Sequence, residues 1–348
     1  MLDGLRVYLG TTLGLETWQA AGGGWVKQSG FIEGDVHALA GRRDRTGTVF
    51  ACAHHDGLYR TTDSGHHWQK VFDGDARSLA IDPQRQDVVY VGTEPVHLYR
   101  SDDGGESFNE VDGLQRMSQE VKKNWWFPQE PHEGHVLKIW VDPSDSAALY
   151  LCLEHGGVVR TADGGETWQD VSSGIPYLDI HHLAGHPGKE GAFFISTARG
   201  FFHADDPAAG WSPADAGMPW AGSAPQNYSH DFVVLPPADG SDEVTLIATG
   251  ANGSPGVWDR PSHAEGVVLR STDGAQSWHK LTSGLPSSPP TMAWSLVPHP
   301  VDAGTLVVGY GEYPTGAGEM YVTEDRGDSW QRVGESFPAI RSLWLEVA

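Results

Sequence analysis

The 348-residue sequence predicts an all-β fold, a seven-bladed β-propeller closed by pairing its C-terminal strand with the N-terminal blade, over a single domain spanning 1–348. Three observations carry this. An octapeptide recurs five times, an apolar strand-like run recurs seven times, and the two ends of the chain each hold part of one more repeat.

The octapeptide reads Thr61-Thr62-Asp63-Ser64-Gly65-His66-His67-Trp68 and returns at Ser101–Phe108, Thr161–Trp168, Ser271–Trp278 and Thr323–Trp330. Each copy has Ser or Thr, Asp two residues on, and an aromatic five after the Asp; four carry Gly two after the Asp, and the fourth has Ala275 there. An Asp can accept N–H bonds from its own turn, Gly tolerates positive φ, and the preceding run (Leu58-Tyr59-Arg60, for example) suits a strand, so each copy reads as strand, turn, strand. A spacing of about 40 to 110 residues is the signature of a repeat array.

Seven apolar runs begin near His37, Arg77, Leu137, His181, His230, Trp294 and Arg341, and all but the last are followed by a second run such as Val49–Ala53 or Phe193–Thr197. The last run, Arg341–Val347, is a first strand with nothing after it, whereas Val7–Gly10 is a second strand with nothing before it. Joined, they complete one blade and remove an open sheet edge. Two blades carry degenerate turns, near Gly22–Trp25 and Asp205–Trp211. Three stretches exceed what the repeat needs: 112–134 with Trp125, Trp126 and Phe127, 218–228 with Trp220, and 251–265 with Trp258 and His263. Long loops on a rigid scaffold are common places for binding residues, and the first two lead into innermost strands, so they should overhang one face of the channel.

A formal net charge of −23 argues against nucleic acid and anionic membranes as partners, since both would be repelled. Cys52 and Cys152 sit inside apolar runs and read as reduced core residues. The N-terminus lacks a basic stretch followed by an apolar one, and no run approaches membrane-spanning length, so a cytoplasmic protein is expected.

Aligned by their first strands, His37, Arg77, Leu137, His181, His230, Trp294 and Arg341 share one register, and one register in a propeller gives one ring around the channel. The ends of the second strands add His54, Glu94, Glu154 and Ala198, with Arg199 one residue later, and His135 precedes the third of these inner strands. Antiparallel pairing should bring His37 near His54, Arg77 near Glu94, and His135 near Glu154. Three chemistries are open. His37, His54, His135 and His230 with a carboxylate suit a divalent metal such as zinc, manganese or iron. Glu154, Glu94 and His181 suit acid–base catalysis, with Glu154 as the preferred base. A polar channel filling, with Arg77 paired to Glu94 and histidines bonded to backbone, is the third. Arg77 and Arg341 favour an anionic small-molecule ligand, with Trp126 and Trp294 as further candidate ligand-binding residues.

The octapeptides resemble the Asp-box, or BNR repeat, of the sialidase-like β-propellers. That resemblance implies a rim turn between the third and fourth strands of a blade and no catalytic role for Asp63, Asp103, Asp163, Asp273 or Asp325. Sialidases use an arginine triad, a Tyr-Glu nucleophile pair and an Arg-Ile-Pro motif. This chain lacks the tripeptide, and Arg77, Arg199, Arg341 and Tyr228 or Tyr310 are the only stand-ins the resemblance offers. Other relatives of this type include xyloglucanase-like enzymes with two such propellers and photosystem assembly factors that act as scaffolds. The stretches Trp126-Phe127-Pro128 to His135-Val136, Leu153–Gly157 and Asp179-Ile180-His181 are similar to short bacterial and archaeal proteins labelled glycosyl hydrolases with BNR repeats. Together these readings lead to a hydrolase or lyase acting on an anionic, sugar-derived substrate at the channel mouth, with a noncatalytic binding or assembly scaffold using the rim loops as the alternative.

Overall fold

The structure, a computed structural model, describes residues 4–347 apart from 23, 32, 129–130, 222–226, 238–242, 259–263 and 288. His263 and part of each of the three long stretches therefore lie outside the described residues. Among those described are seven antiparallel sheets of four strands each. Blade 4 shows the pattern: His135–Val141, Leu149–Glu154, Gly157–Thr161 and Gln169–Asp170, in that order from the axis outward. The first strands of successive blades touch in a closed circuit, from Ile340–Val347 through Val36–Gly41, Ala76–Ile81, His135–Val141, Ile180–Gly185, Asn227–Leu235 and Met292–Pro298 back to Ile340–Val347. No described helix is long and apolar enough to cross a membrane.

Closure follows the expectation. Ile340–Val347 pairs with Leu5–Thr11, with Val7 opposite Leu345 and Leu9 opposite Leu343, and so becomes the innermost strand of blade 1. Apolar side chains fill the wedges between neighbouring blades. Val7, Leu9 and Leu345 of blade 1 pack with Val307, Met320 and Phe337 of blade 7, and Tyr150, Cys152 and Val158 of blade 4 with Ile180, Leu183 and Phe193 of blade 5. Cys52 and Cys152 are free and buried, as expected, and burial pushes both thiols up. Tyr310, a conceivable nucleophile from sequence, is instead core: its ring packs between blades 6 and 7, edge-on to Tyr321. It faces no channel because it sits in the regular pleat of a second strand, on the buried side.

The five octapeptides form one repeated turn. In the fourth, Ser271 Oγ donates to Asp273 Oδ1 at 2.7 Å and accepts from Ala275 N, while Asp273 takes Ser277 N at 2.9 Å and Ser277 Oγ at 2.5 Å. The other four copies repeat the hydroxyl-to-Asp bond and the return bond to Asp Oδ1. The Gly position lies at φ +86° to +97° in Gly65, Gly165 and Gly327, and Ala275 adopts φ +69°. These turns follow third strands, so they lie at the opposite end of the blades from the starts of the first strands.

Every innermost strand carries an irregularity at the same place. Pairing skips His37, Arg77, Leu137, His181, Trp294 and Arg341, and in blade 6 both His230 and Asp231. Such bulges re-aim one side chain and locally break the two-residue alternation. The register read from the sequence is thus a ring of bulges and not one face of a regular pleat. The neighbouring register ties blades together: Ser78 Oγ donates to Val136 O at 2.6 Å, Ser342 Oγ to Val36 O at 3.0 Å, and Leu296 N to Asp231 Oδ2 at 2.8 Å. Lys138 belongs to this seam, where its charge bears on His182 and Asp231.

Candidate functional site

Three groups of polar side chains occupy the end of the channel where first strands start and second strands end. Strand pairing sets their order: His135 sits directly opposite Glu154, His54 N donates to Asp35 O, and Glu94 N donates to Asp75 O. Each bulge residue is therefore flanked by a residue two positions earlier and by the end of the adjacent strand.

In the group centred on blades 3 and 4, His135 is bracketed by carboxylates. Its Nε2 donates to Glu154 Oε2, and its Nδ1 lies 3.4 Å from Glu94 Oε2. Arg77 Nη2 approaches the same ring at 3.2 Å, and Arg77 Nε is 3.6 Å from Glu94. Burial pulls the Glu154 carboxyl up, but the His135 charge and hydrogen bond, followed by Arg77 and His181, outweigh it and hold the group below the usual carboxylate range. Arg77 is only 10% exposed, and its Nε and Nη1 have no hydrogen-bond partner among the described residues.

The second group joins blades 4 to 7. His181 Nδ1 donates to Ser229 O at 2.6 Å, and Asp179 Oδ1 lies 3.3 Å from its Nε2. Asp179 also reaches His155 at 3.5 Å. Burial alone would lower the His181 pKa; the Asp179 charge and hydrogen bond, the Ser229 carbonyl and the Glu154 charge together raise it. His230 stacks beside His181 and Tyr228 and edge-on to Trp294, and burial, then the His181 charge, push it down to about 3. The Arg341 guanidinium covers the buried Trp294 ring at 4.4 Å, and its Nη2 donates to Pro314 O.

The third group spans blades 2 and 3. His37 Nε2 lies 3.1 Å from Asp35 Oδ2, the His37 and His54 rings are 4.7 Å apart, and His54 stacks on His55 at 3.6 Å. His55 Nδ1 meets Asp75 Oδ2 at 2.6 Å. Burial lowers the pKa of both His37 and His54, with Arg77 adding to it. Among the described residues, Asp35, His37 and His54 form one set whose donor atoms suit a metal ion, and His54, His55 and Asp75 another.

The pairings expected from sequence, His37 with His54, Arg77 with Glu94 and His135 with Glu154, are all present. The four proposed metal histidines do not converge: His37 and His54 meet, whereas His135 is engaged by two glutamates and His230 by aromatic rings. Arg199 lies on the Tyr177 ring at 4.0 Å. Trp126 is 51% exposed and stacks on His132, one residue away from Phe127, whose ring packs against His135 and His155. Trp220 packs onto the core between blades 5 and 6. Sequence reasoning missed Asp35, Asp75 and Asp179 as site residues, although each stands two before a ring position, the place that His135 holds in blade 4. A cleft of about 650 Å³ opens between blades 1 and 2, lined by Leu13, Glu16, Lys27, Asp56 and Tyr59 among others.

Residues 143–342 match the family model of the DUF6242 beta propeller domain. No curated protein matches the chain in sequence. Among solved structures, the GH74 xyloglucanase from Xanthomonas campestris is similar with a TM-score of 0.70 at 16% identity, covering 95% of this chain and 52% of that one. The Niastella koreensis GH74 enzyme is similar with a TM-score of 0.63 at 16% identity, covering 93% and 46%. YCF48 bound to D1 peptide gives 0.59 at 15% identity, covering 98% and 93%. The chain thus spans about half the length of the two GH74 structures. At these identities the likeness is one of fold.

Proposed function

Because the chain belongs to the DUF6242 β-propeller domain family, a family described by its fold, we propose its function from the site itself: a lyase that binds an anionic, sugar-derived small molecule at the channel mouth and removes a proton next to its carboxylate. The observation that carries this reading is Arg77, a 10% exposed guanidinium whose Nε and Nη1 have no hydrogen-bond partner among the described residues, with Glu94 3.6 Å from Nε and a histidine 3.2 Å from Nη2. A buried donor without a partner costs about 1–3 kcal/mol, and a bound carboxylate would relieve that cost.

A substrate carboxylate on Arg77 sets its α-proton beside His135. Glu154 is held ionised too firmly to be an efficient base, because a proton acceptor works best with a pKa near the operating pH. Glu154 instead orients neutral His135 through Nε2–H, as the carboxylate of a catalytic triad orients its histidine. The ring takes the proton on Nδ1, which has no hydrogen-bond partner among the described residues, and the imidazolium that forms faces Glu94 at 3.4 Å. Arg77 stabilises the charge that develops on the substrate carboxylate. His181, its pKa raised against burial by Asp179 and the Ser229 carbonyl, protonates the leaving oxygen. Hydrolysis by a carboxylate pair fits less well, since both glutamates bracket one imidazole and neither is free for the anomeric carbon.

The test is turnover of uronate-containing oligosaccharides, followed by the ultraviolet absorbance of an unsaturated product. The reading expects that product from the wild type and its loss in His135→Gln. Release of saturated sugars alone would overturn it. The five turn copies, with their shared hydrogen bonds, support placing the chain with the Asp-box, sialidase-like propellers. A scaffold role is favoured by one observation, the exposed Trp126 stacked on His132. YCF48, bound to D1 peptide in its solved structure, matches this chain over nearly its full length, which fits that alternative. In that case Trp126→Ala abolishes partner capture and His135→Gln leaves it intact.

A further inference from the structure

Asp35 and His37 lie on one strand start, on either side of Val36, and His54 N is fixed to Asp35 O at 2.8 Å by the strand pairing. Backbone that is already ordered therefore holds two imidazoles and a carboxylate together. Their donor atoms all lie within 4.8 Å of one another. Two ligands on opposite sides of one ion at bond lengths of about 2.1 Å are about 4.2 Å apart, so a small side-chain rotation closes the set. The closest pair, His37 Nε2 and Asp35 Oδ2, is already at 3.1 Å, near the roughly 3.3 Å between adjacent tetrahedral ligands.

Two further facts separate this group from a surface ion pair. His37 Nε2 and Asp35 Oδ1 are buried and without a hydrogen-bond partner among the described residues, so the proximity of His37 and Asp35 does not satisfy either atom. Beside them, Asp75 accepts from His55 N at 3.0 Å and meets His55 Nδ1 at 2.6 Å, which clamps the His55 ring flat against His54. Asp75 thus supports His54 indirectly, by holding the His55 ring against its face. His55 itself has its Nδ1 committed and its side chain 67% exposed, which leaves it as the brace.

We propose that Asp35, His37 and His54 bind one divalent transition-metal ion, with Asp75 and His55 positioning His54. Two imidazoles and one carboxylate suit zinc, iron(II) or manganese and leave coordination positions open. Arg341 Nε stands 3.9 Å from Asp35 Oδ1, and the Arg77 charge bears on His37 and His54. With one carboxylate as the only charged ligand, the occupied site stays cationic, and its open positions take an anion such as a carboxylate or phosphate. The site does not depend on the proton-transfer reading, because His135, Glu154 and His181 are not ligands in it.

The experiment uses the full chain without a histidine tag, loaded separately with zinc, manganese and iron(II), desalted and analysed for metal. The wild type is expected to keep about one equivalent of at least one ion, and His66→Ala/His67→Ala, which removes rim histidines, to keep the same. His37→Ala/His54→Ala should keep less than about a tenth, and Asp75→Asn should bind about tenfold to a hundredfold more weakly. Metal should raise the melting temperature of the wild type and not of the double variant. Less than about a tenth of an equivalent in the wild type for all three ions, or equal retention by a folded double variant, overturns the proposal. Metal retention with no unsaturated product removes the lyase reading alone.

Discussion

At the rim, Asp273 meets Ser271 and Ser277 within one octapeptide, and its polar partners are all its own turn. At the channel mouth, Glu154 reaches His135 across a strand pair, Arg77 reaches His135 from the neighbouring blade, and several buried atoms of Arg77, Arg341, His37 and His230 have no hydrogen-bond partner among the described residues. The carboxylates of the rim are satisfied within their own turns, although the indole nitrogens of Trp68 and Trp330 lack a hydrogen-bond partner among the described residues, whereas the mouth gathers charged groups from several blades. A buried charged donor without a hydrogen bond destabilises the fold, and at the mouth a bound anion would offset that cost.

Substitutions on the two sides should separate these roles. His135→Gln is expected to cut turnover by about 10²- to 10⁴-fold and leave a folded protein, which a rate assay and circular dichroism together check. Gly165→Ala, at the rim, should do the reverse. At φ +97° its Cβ would sit 2.4 Å from Val111 Cγ1, and a loss of roughly 2–4 kcal/mol in urea unfolding with unchanged ligand affinity is expected. Asp273→Ala removes three turn bonds, and about 1–3 kcal/mol of stability should be lost, again without a change in binding.

Acid should act differently on the two histidines of Ile180–Gly185. Burial, then Lys138, holds His182 below the histidine range, and His182 and Lys138 outweigh burial to hold its partner Asp231 below the carboxylate range. Below about pH 6.5 the unfolded chain takes up a proton that His182 in the fold resists, so stability falls with pH, and Asp231 adds to the loss below about pH 3.9. His181 has a raised pKa; its contribution is full below about pH 6.5 and is lost as pH rises through its folded value. Unfolding midpoints from pH 7 to 5 should fall less steeply in His182→Gln and more steeply in His181→Gln than in the wild type. The smallest effect belongs to Ala275→Gly: relief of a left-handed alanine and the entropy of glycine oppose each other, leaving a change within about 1 kcal/mol of zero in thermal unfolding.

The fold was legible because its signals are local. Turn chemistry, the seven apolar runs and the split blade at the chain ends each lie within a few residues, and the closure of Val7 on Leu345 followed from them. The ring register was legible too, yet its cause was not, since a bulge such as that at His37 or Arg77 is a property of two paired strands. Asp35, Asp75 and Asp179 precede the apolar runs, so no strand periodicity marks them, and only their offset of two from a ring position, shared with His135, ties them to the site. Phe127, and not Trp126, packs on His135, and loop composition carries no signal for which of two adjacent rings turns inward. Tyr310 fell in the core because the strand alternation that buries it continues unbroken through its position.

The central claim is that the mouth recognises an anion through Arg77. It is tested most directly by calorimetric titration of glucuronate and galacturonate, against glucose and galactose, into the wild type and Arg77→Gln. The account predicts that the wild type binds a sugar acid about tenfold to a hundredfold more tightly than the neutral parent, and that Arg77→Gln loses this preference with its stability retained. Equal affinities for acid and neutral sugar in the wild type, or a preference that survives in Arg77→Gln, would contradict it.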